Sequence, residues 1–202
     1  VSVVDLAQAR EVKSITVGLH PTGLELAGDD LFVTNSNSDT VSVIDTRRDE
    51  VAKTIAVEAF PKAPFGSSPN AVTVFDDGRI VVSLGRNNAL AIYDWAGRSE
   101  AVRFEGLVPT GGYPADLAVD TERNQLIVVN NVGLSTAGAN SVGANTGSVS
   151  LIPFPTSREM RQYTAQVYEN NDWDKLHGQQ NTDYLGERAF GESREPEAGR
   201  KV

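Results

Sequence analysis

Chemistry in a protein needs nucleophiles, bases or metal ligands at workable spacing, and this chain is poor in all three. It holds two histidines, His20 and His177, and no cysteine in 202 residues. Without cysteine there is no disulfide, no thiolate metal site and no thiol nucleophile. Neither histidine has a partner at metal-ligand spacing, so no transition metal is expected. The acidic pairs Asp29-Asp30 and Asp76-Asp77 fall at matching turns and read as solvated hairpin ends. A calcium site would need more oxygen ligands converging on one point. No Gly-rich phosphate cradle lies between a strand and a helix, and no G-x-S-x-G elbow is present. The expectation is no catalytic residue, no metal and no cofactor.

What remains is a set of loops placed alike: Gly18-Leu19-His20-Pro21, Gly66-Ser67-Ser68-Pro69-Asn70 and Gly111-Gly112-Tyr113-Pro114. Their polar or aromatic members, with one residue of the strand that follows, are His20, Asn70, Tyr113 and Asp116. These four are the candidate ligand-binding residues, and small-molecule and protein ligands are both open.

The elements that position them repeat. Val1-Ser2-Val3-Val4-Asp5 returns as Val41-Ser42-Val43-Ile44-Asp45, as Leu90-Ala91-Ile92-Tyr93-Asp94 and, more weakly, as Val149-Ser150-Leu151-Ile152-Pro153. A Pro-led strand keeps the same phase, starting at Pro21, Pro69 and Pro114. An Asp- or Gly-bearing turn and a second apolar strand follow each time. Apolar and polar residues alternate with the period of a strand, and the turn residues tolerate positive φ. Units of about 40 to 50 residues with four short strands are propeller blades. The fold class is all-β: a β-propeller fragment of about three to four four-stranded blades, then a C-terminal helix and a polar tail. In such a ring the strand after each candidate loop is innermost, so the loops would surround the channel mouth.

The segment Leu31-Phe32-Val33-Thr34-Asn35, a polar loop to Thr40, and Val41-Ser42-Val43-Ile44-Asp45 resembles the YVTN/YncE-like repeat family. The likeness covers roughly residues 1–155. It departs at Leu84-Gly85-Arg86-Asn87, which replaces the Thr-Asn ending, and again after Asn130.

Residues 130–148 are rich in Gly, Asn and Ser and read as a long surface loop. From Thr156 the pattern turns helical. Thr156-Ser157-Arg158-Glu159 reads as a capping box, and Met160, Tyr163, Thr164, Val167 and Tyr168 share a face. The expected division is blades over 1–155, a helix within 156–174 and a linker or disordered tail over 175–202. The stretch from Gly147 through Trp173 resembles the join in YncE-like propeller/alkaline-phosphatase-family fusion proteins. That resemblance implies a periplasmic or secreted parent and a phosphoesterase domain downstream. The chain itself reads as a non-catalytic binding or scaffold module. The alternatives are the accessory propeller of a phosphoesterase and a lactonase-like propeller enzyme.

Charge narrows the partners. The formal net charge is −9, with 27 acidic and 18 basic residues. That disfavours nucleic acid and anionic lipid, both of which need clustered Lys and Arg. No run reaches the roughly 18 to 20 apolar residues of a membrane span. The chain opens at Val1 with no initiator Met and no signal peptide, and it is expected to be a piece of a longer protein. Three Pro-led strands supply fewer blades than the roughly four to eight of a closed propeller. The expected partners are the remaining blades, a downstream domain of the parent, or further copies joined through open blade edges.

Overall fold

The computed structural model describes residues 1–58, 66–132 and 146–173. Four antiparallel sheets follow one another along the chain. The first pairs β1 (Ser2–Asp5) with β2 (Arg10–Ser14). Blade 1 is β3 (Pro21–Ala27), β4 (Asp30–Asn35), β5 (Thr40–Asp45) and β6 (Glu50–Ala56), in spatial order. Blade 2 repeats it with β7 (Pro69–Val74), β8 (Arg79–Leu84), β9 (Ala89–Asp94) and β10 (Arg103–Pro109). Blade 3 has three strands, β11 (Gly112–Asp120), β12 (Gln125–Val132) and β13 (Ser148–Pro153). Helix α1 (Ser157–Asn170) follows, with both halves of its Thr156–Glu159 capping box made. A 3₁₀ turn, Gly85–Asn87, joins β8 to β9 in blade 2. Most of the 130–148 loop, the 175–202 tail and His177 lie outside the described residues.

Period-two alternation gives each blade two apolar faces. Phe32, Val41 and Val43 of blade 1 meet Val72, Ile80 and Val82 of blade 2 in one core. Val81, Leu90 and Ile92, on the opposite face of blade 2, meet Leu117, Leu126 and Val128 of blade 3 in the next. A third cluster joins Ile15, Val1 and Val3 to Val33 and Ile44. The cores therefore lie between blades, each sheet packing on the next.

The repeated Asp of the strand ending Val-x-Asp has a turn to hold. Asp5 Oδ1 accepts the N–H groups of Ala7 and Gln8 at 2.8 and 3.0 Å. Asp45 Oδ1 likewise accepts from Arg47 N–H at 2.9 Å. Each turn closes on a residue of positive φ, Ala9 or Asp49. Asp30 is not the solvated hairpin end read from sequence. Arg98 of blade 2 donates to Asp30, to Asp45 and to the carbonyl of Asp29, tying blades 1 and 2 at their outer ends. Burial works to raise the Asp45 pKa, but the Arg47 N–H and the charges of Arg98 and Arg48 hold it below the usual carboxylate value.

Helix α1 lies across β10, the outermost strand of blade 2. Gly106 sits at a bulge there with φ of +154°, and a Cβ on it would come within 2.7 Å of both Met160 Cγ and Thr164 Oγ1. Thr164 Oγ1 accepts the Leu107 N–H at 2.9 Å. Met160, Thr164, Val167 and Tyr168 are the buried residues of the helix, so it covers an edge strand that would otherwise be open to pairing.

Candidate functional site

The inner strands β3, β7 and β11 lie side by side, and the loops before them gather at one end. The approach of β3 to β7 is tight: a Cβ on Gly23 would stand 2.6 Å from the Asn70 carbonyl oxygen. A β-bulge follows the leading proline in all three strands, between Pro21 and Gly23, Pro69 and Val72, and Pro114 and Asp116. The residue before each proline has positive φ: His20 at 54°, Ser68 at 54° and Tyr113 at 53°. Such a conformation is costly for non-glycine residues and often marks a functional site. Here it recurs in every blade, so it belongs to the architecture of the loops.

A relay of side chains holds these loops. Asp39 closes the β4–β5 connection of blade 1, and Asn88 occupies the same place in blade 2. Asp39 accepts the N–H groups of Gly66, Ser67 and Ser68 at 2.6, 3.1 and 3.0 Å. Asn88 Oδ1 accepts the Tyr113 N–H at 2.8 Å. Their carbonyls receive Val57 N–H and Thr110 N–H at 2.8 and 2.9 Å. An acidic or amide residue of one blade thus caps the loop that leads into the next. The sequence reading missed this role, although both residues stand immediately ahead of a recognised strand.

Of the four candidates, the structure brings Asn70 and Tyr113 together. They meet over Gly85, where a Cβ would collide with Asn70 Nδ2 and come within 3.0 Å of the Tyr113 ring. Asn70 Nδ2 also donates to the Pro114 carbonyl at 3.2 Å, bridging β7 and β11. Beside it the hydroxyls of Thr22, Thr34 and Ser36 form a seam. Ser36 Oγ donates to the Pro69 carbonyl at 2.6 Å and Thr34 Oγ1 to the Asn70 carbonyl at 3.1 Å. Gly85, Ser36 and Thr22 were not singled out from sequence, because only the ring brings them beside Asn70. His20 and Asp116 are exposed. Asp116 Oδ1 accepts the N–H of its neighbour Leu117 at 2.9 Å, and no hydrogen bond among the described residues draws either side chain to Asn70 or Tyr113.

A second polar constellation lies deeper. Asn35 Nδ2 donates to Thr40 Oγ1 and Ser42 Oγ, both at 3.0 Å, and Asn130 Nδ2 donates to Ser148 Oγ at 3.2 Å and Ser150 Oγ at 2.9 Å. Both asparagines are fully buried, and the Oδ1 of each lacks a partner. A Cβ on Gly18 would press within 2.7 Å of Asn35, and one on Gly111 within 2.9 Å of Asn130. In blade 2 the register places Leu84, Ala89 and Ala91 at these positions, all fully buried. The departure at Leu84-Gly85 therefore exchanges a whole polar trio for an apolar one.

Among the described residues no group of three or more His, Cys, Asp or Glu could hold a metal ion. No described helix is long and apolar enough to cross a membrane.

The stacked four-stranded sheets with adjacent inner strands define part of a β-propeller, and comparison with solved structures agrees. Hydrazine synthase of Kuenenia stuttgartiensis superposes with a TM-score of 0.56 at 24% identity, over 74% of this chain and 38% of that one. A protein of unknown function from Desulfotomaculum acetoxidans aligns with a TM-score of 0.49 at 14% identity, over 73% of this chain and 46% of its own. A 6-phosphogluconolactonase-like protein of Bacteroides uniformis gives 0.49 at 18%, over 72% and 44%. The chain thus spans less than half of each, and the likeness to hydrazine synthase bears on fold alone. No family model and no curated protein matches the sequence.

Proposed function

We propose that residues 1–155 are YVTN-type blades of a non-catalytic binding or scaffold module. The module works outside the cytoplasm within a larger protein and takes its ligand at the mouth formed by the loops before β3, β7 and β11. The reading rests on one observation: Asn70 and Tyr113 converge over Gly85, which has no side chain. A carboxamide and a phenol ring side by side suit a polar small molecule or a peptide segment. The neighbouring hydroxyls donate to backbone carbonyls or to one another. A hydroxyl acting as a nucleophile needs a base instead, so the seam speaks for binding over hydrolysis.

The test pairs binding with turnover. Ligand-observed NMR on the purified chain, with lactones, phosphomonoesters and short peptides, is expected to detect a ligand whose signal Tyr113→Ala and Asn70→Ala both abolish. Hydrolysis of bis(p-nitrophenyl) phosphate or a gluconolactone by the same protein, lost on adding a chelator or on replacing Tyr113, would overturn the reading.

A further inference from the structure

Helix α1 ends against the turn that carries Gly85. Its C-cap, Asn171, donates through Nδ2 to the Val167 carbonyl at 2.9 Å, closing its own helix. The same Nδ2 donates to the Asn87 carbonyl at 3.1 Å, 84 residues back in the chain. Asn87 is the last residue of the 3₁₀ turn between β8 and β9. Its Oδ1 is buried and has no partner, which leaves its carbonyl as the acceptor that meets the helix. In blade 1 the same position is Ser38, two before Thr40 as Asn87 is two before Ala89. No hydrogen bond among the described residues runs from α1 to it. Packing joins the same two parts. Leu84 and Ala89, which flank the turn, share one buried cluster with Val167, Tyr168 and Trp173. The rings of Tyr168 and Trp173 meet edge to face at 5.5 Å between centroids, so the chain is anchored on both sides of Asn171.

We infer that Asn171 is a positioning residue for the mouth: through Asn87 it fixes the turn on which Asn70 and Tyr113 rest, and so makes helix α1 part of the ligand site. The Gly85 N–H donates to the Ser68 carbonyl at 3.0 Å and the Arg86 N–H to the Ser67 carbonyl at 3.2 Å, which holds the loop ahead of Asn70. Asn88, left-handed at φ of 50°, takes the Tyr113 N–H on its Oδ1 at 2.8 Å and the Thr110 N–H on its carbonyl at 2.9 Å. The Asn87 carbonyl and the Asn88 N–H belong to one planar peptide unit. The bond from Asn171 therefore sets the orientation from which Asn88 reaches Tyr113. Without it both oxygens of Asn87 lose their place: one is already orphaned, and the other would be. The turn would then tilt to satisfy them, and Gly85, which lies against Asn70 Nδ2 and the Tyr113 ring, would move with it. This role rests on the reading of the mouth as the ligand site and adds a residue that no blade supplies.

The test follows backbone amide exchange and the Asn70 side-chain amide signal in the ligand-free chain. In Asn171→Ala, exchange at Tyr113 is expected to rise roughly two- to tenfold more than exchange at Leu107, the scale of one net hydrogen bond. The Asn70 carboxamide cross-peak should shift with it. Thr164→Val loosens the same helix at β10 but keeps Asn171, so it should do the reverse, with Leu107 faster and Tyr113 and Asn70 unchanged. Asn171→Asp matches asparagine in shape but has no N–H to give, and it should repeat the alanine result, which removes truncation as the cause. The ratio of Tyr113 exchange to Leu107 exchange is decisive whether or not the helix stays docked, because a helix that merely frays speeds Leu107 as well. The proposal falls if Asn171→Ala and Asn171→Asp leave that ratio at the parent value, or if Thr164→Val raises it as much as they do. Neither signal depends on a ligand, so a ligand screen that finds nothing overturns the binding reading and not the placement of the turn by Asn171.

Discussion

The two versions of the buried trio allow a double test within one protein. In blade 1, Asn35 spans Thr40 and Ser42, and its own Oδ1 is unsatisfied. In blade 2 the same space is filled by Leu84, Ala89 and Ala91. Leucine has nearly the branching of asparagine, so Asn35→Leu changes polarity more than shape. Alone it removes the donor to two hydroxyls. Each lost net hydrogen bond costs about 0.5–1.5 kcal/mol, and a stranded buried hydroxyl about 1–3. Removing the orphaned Oδ1 offsets part of this, which leaves an expected loss of about 2 kcal/mol. The triple change Asn35→Leu, Thr40→Ala, Ser42→Ala copies blade 2 and strands nothing, so it should lie within about 1 kcal/mol of the parent. Urea unfolding of the single and triple variants, read from midpoints at constant slope, measures both. The triple variant should be more stable than Asn35→Leu alone despite two further truncations, a non-additivity expected of groups in one network. A triple variant that loses the sum of the single losses would refute the reasoning and show that the hydroxyls serve other partners.

Thr164→Val keeps the helix shape but leaves the Leu107 N–H without its acceptor; a loss of about 1–3 kcal/mol is expected, with faster amide exchange at Leu107. Gly106→Ala should be worse, because the new methyl meets Met160 and Thr164 at a φ alanine resists; loss of near-ultraviolet signal from Tyr168 and Trp173 would report helix release. Asp39→Ala frees three N–H groups at once and should cost at least about 2 kcal/mol, part of which Asp39→Asn recovers, as Asn88 does in blade 2. The Asp45 carboxyl is held below its ordinary value of 3.8, so its contribution is present above that pH and is lost as pH falls through the folded value. Acid titration of Asp45→Asn should therefore run flatter below about pH 4 than the parent; parallel curves would show that Arg98 gains nothing from this carboxylate.

Much of the fold was legible because it is written twice over. The returning Val-Ser-Val-Val-Asp strand and the Pro-led strand fixed phase, and blade 1 and blade 2 both formed four strands in order. The Thr156–Glu159 box marked where α1 begins, and the spacing from Met160 to Tyr168 marked the face it buries. What stayed hidden was relational. Asp39 and Asn88 look like ordinary turn residues until the next blade brings Ser68 and Tyr113 to them. Gly85 looks like a break in the signature until Asn70 and Tyr113 need its empty side. His20 and Asp116 sat at the right places in the repeat, yet position alone does not say where a side chain points.

The same distinction separates strain from function in this molecule. His20, Ser68 and Tyr113 share an unfavourable φ, and any one of them in isolation would suggest an active site. Repetition removes that inference, because a constraint shared by every blade comes from joining a loop to a bulged inner strand. What differs between blades carries the information. Tyr113 places an aromatic ring where the other two blades have an imidazole and a hydroxyl. Asn70 places a carboxamide where they have Thr22 and Ala115, as counted from the leading prolines. Gly85 stands one residue past Leu84, where Ser36 and Asn131 stand one residue past the equivalent Asn35 and Asn130. The three departures are far apart in the chain and meet at one point of the mouth. Packing on equivalent neighbours needs no such coincidence, so the blade-specific side chains around Gly85, and not the strained backbone that all three blades share, are where selection for a ligand would show.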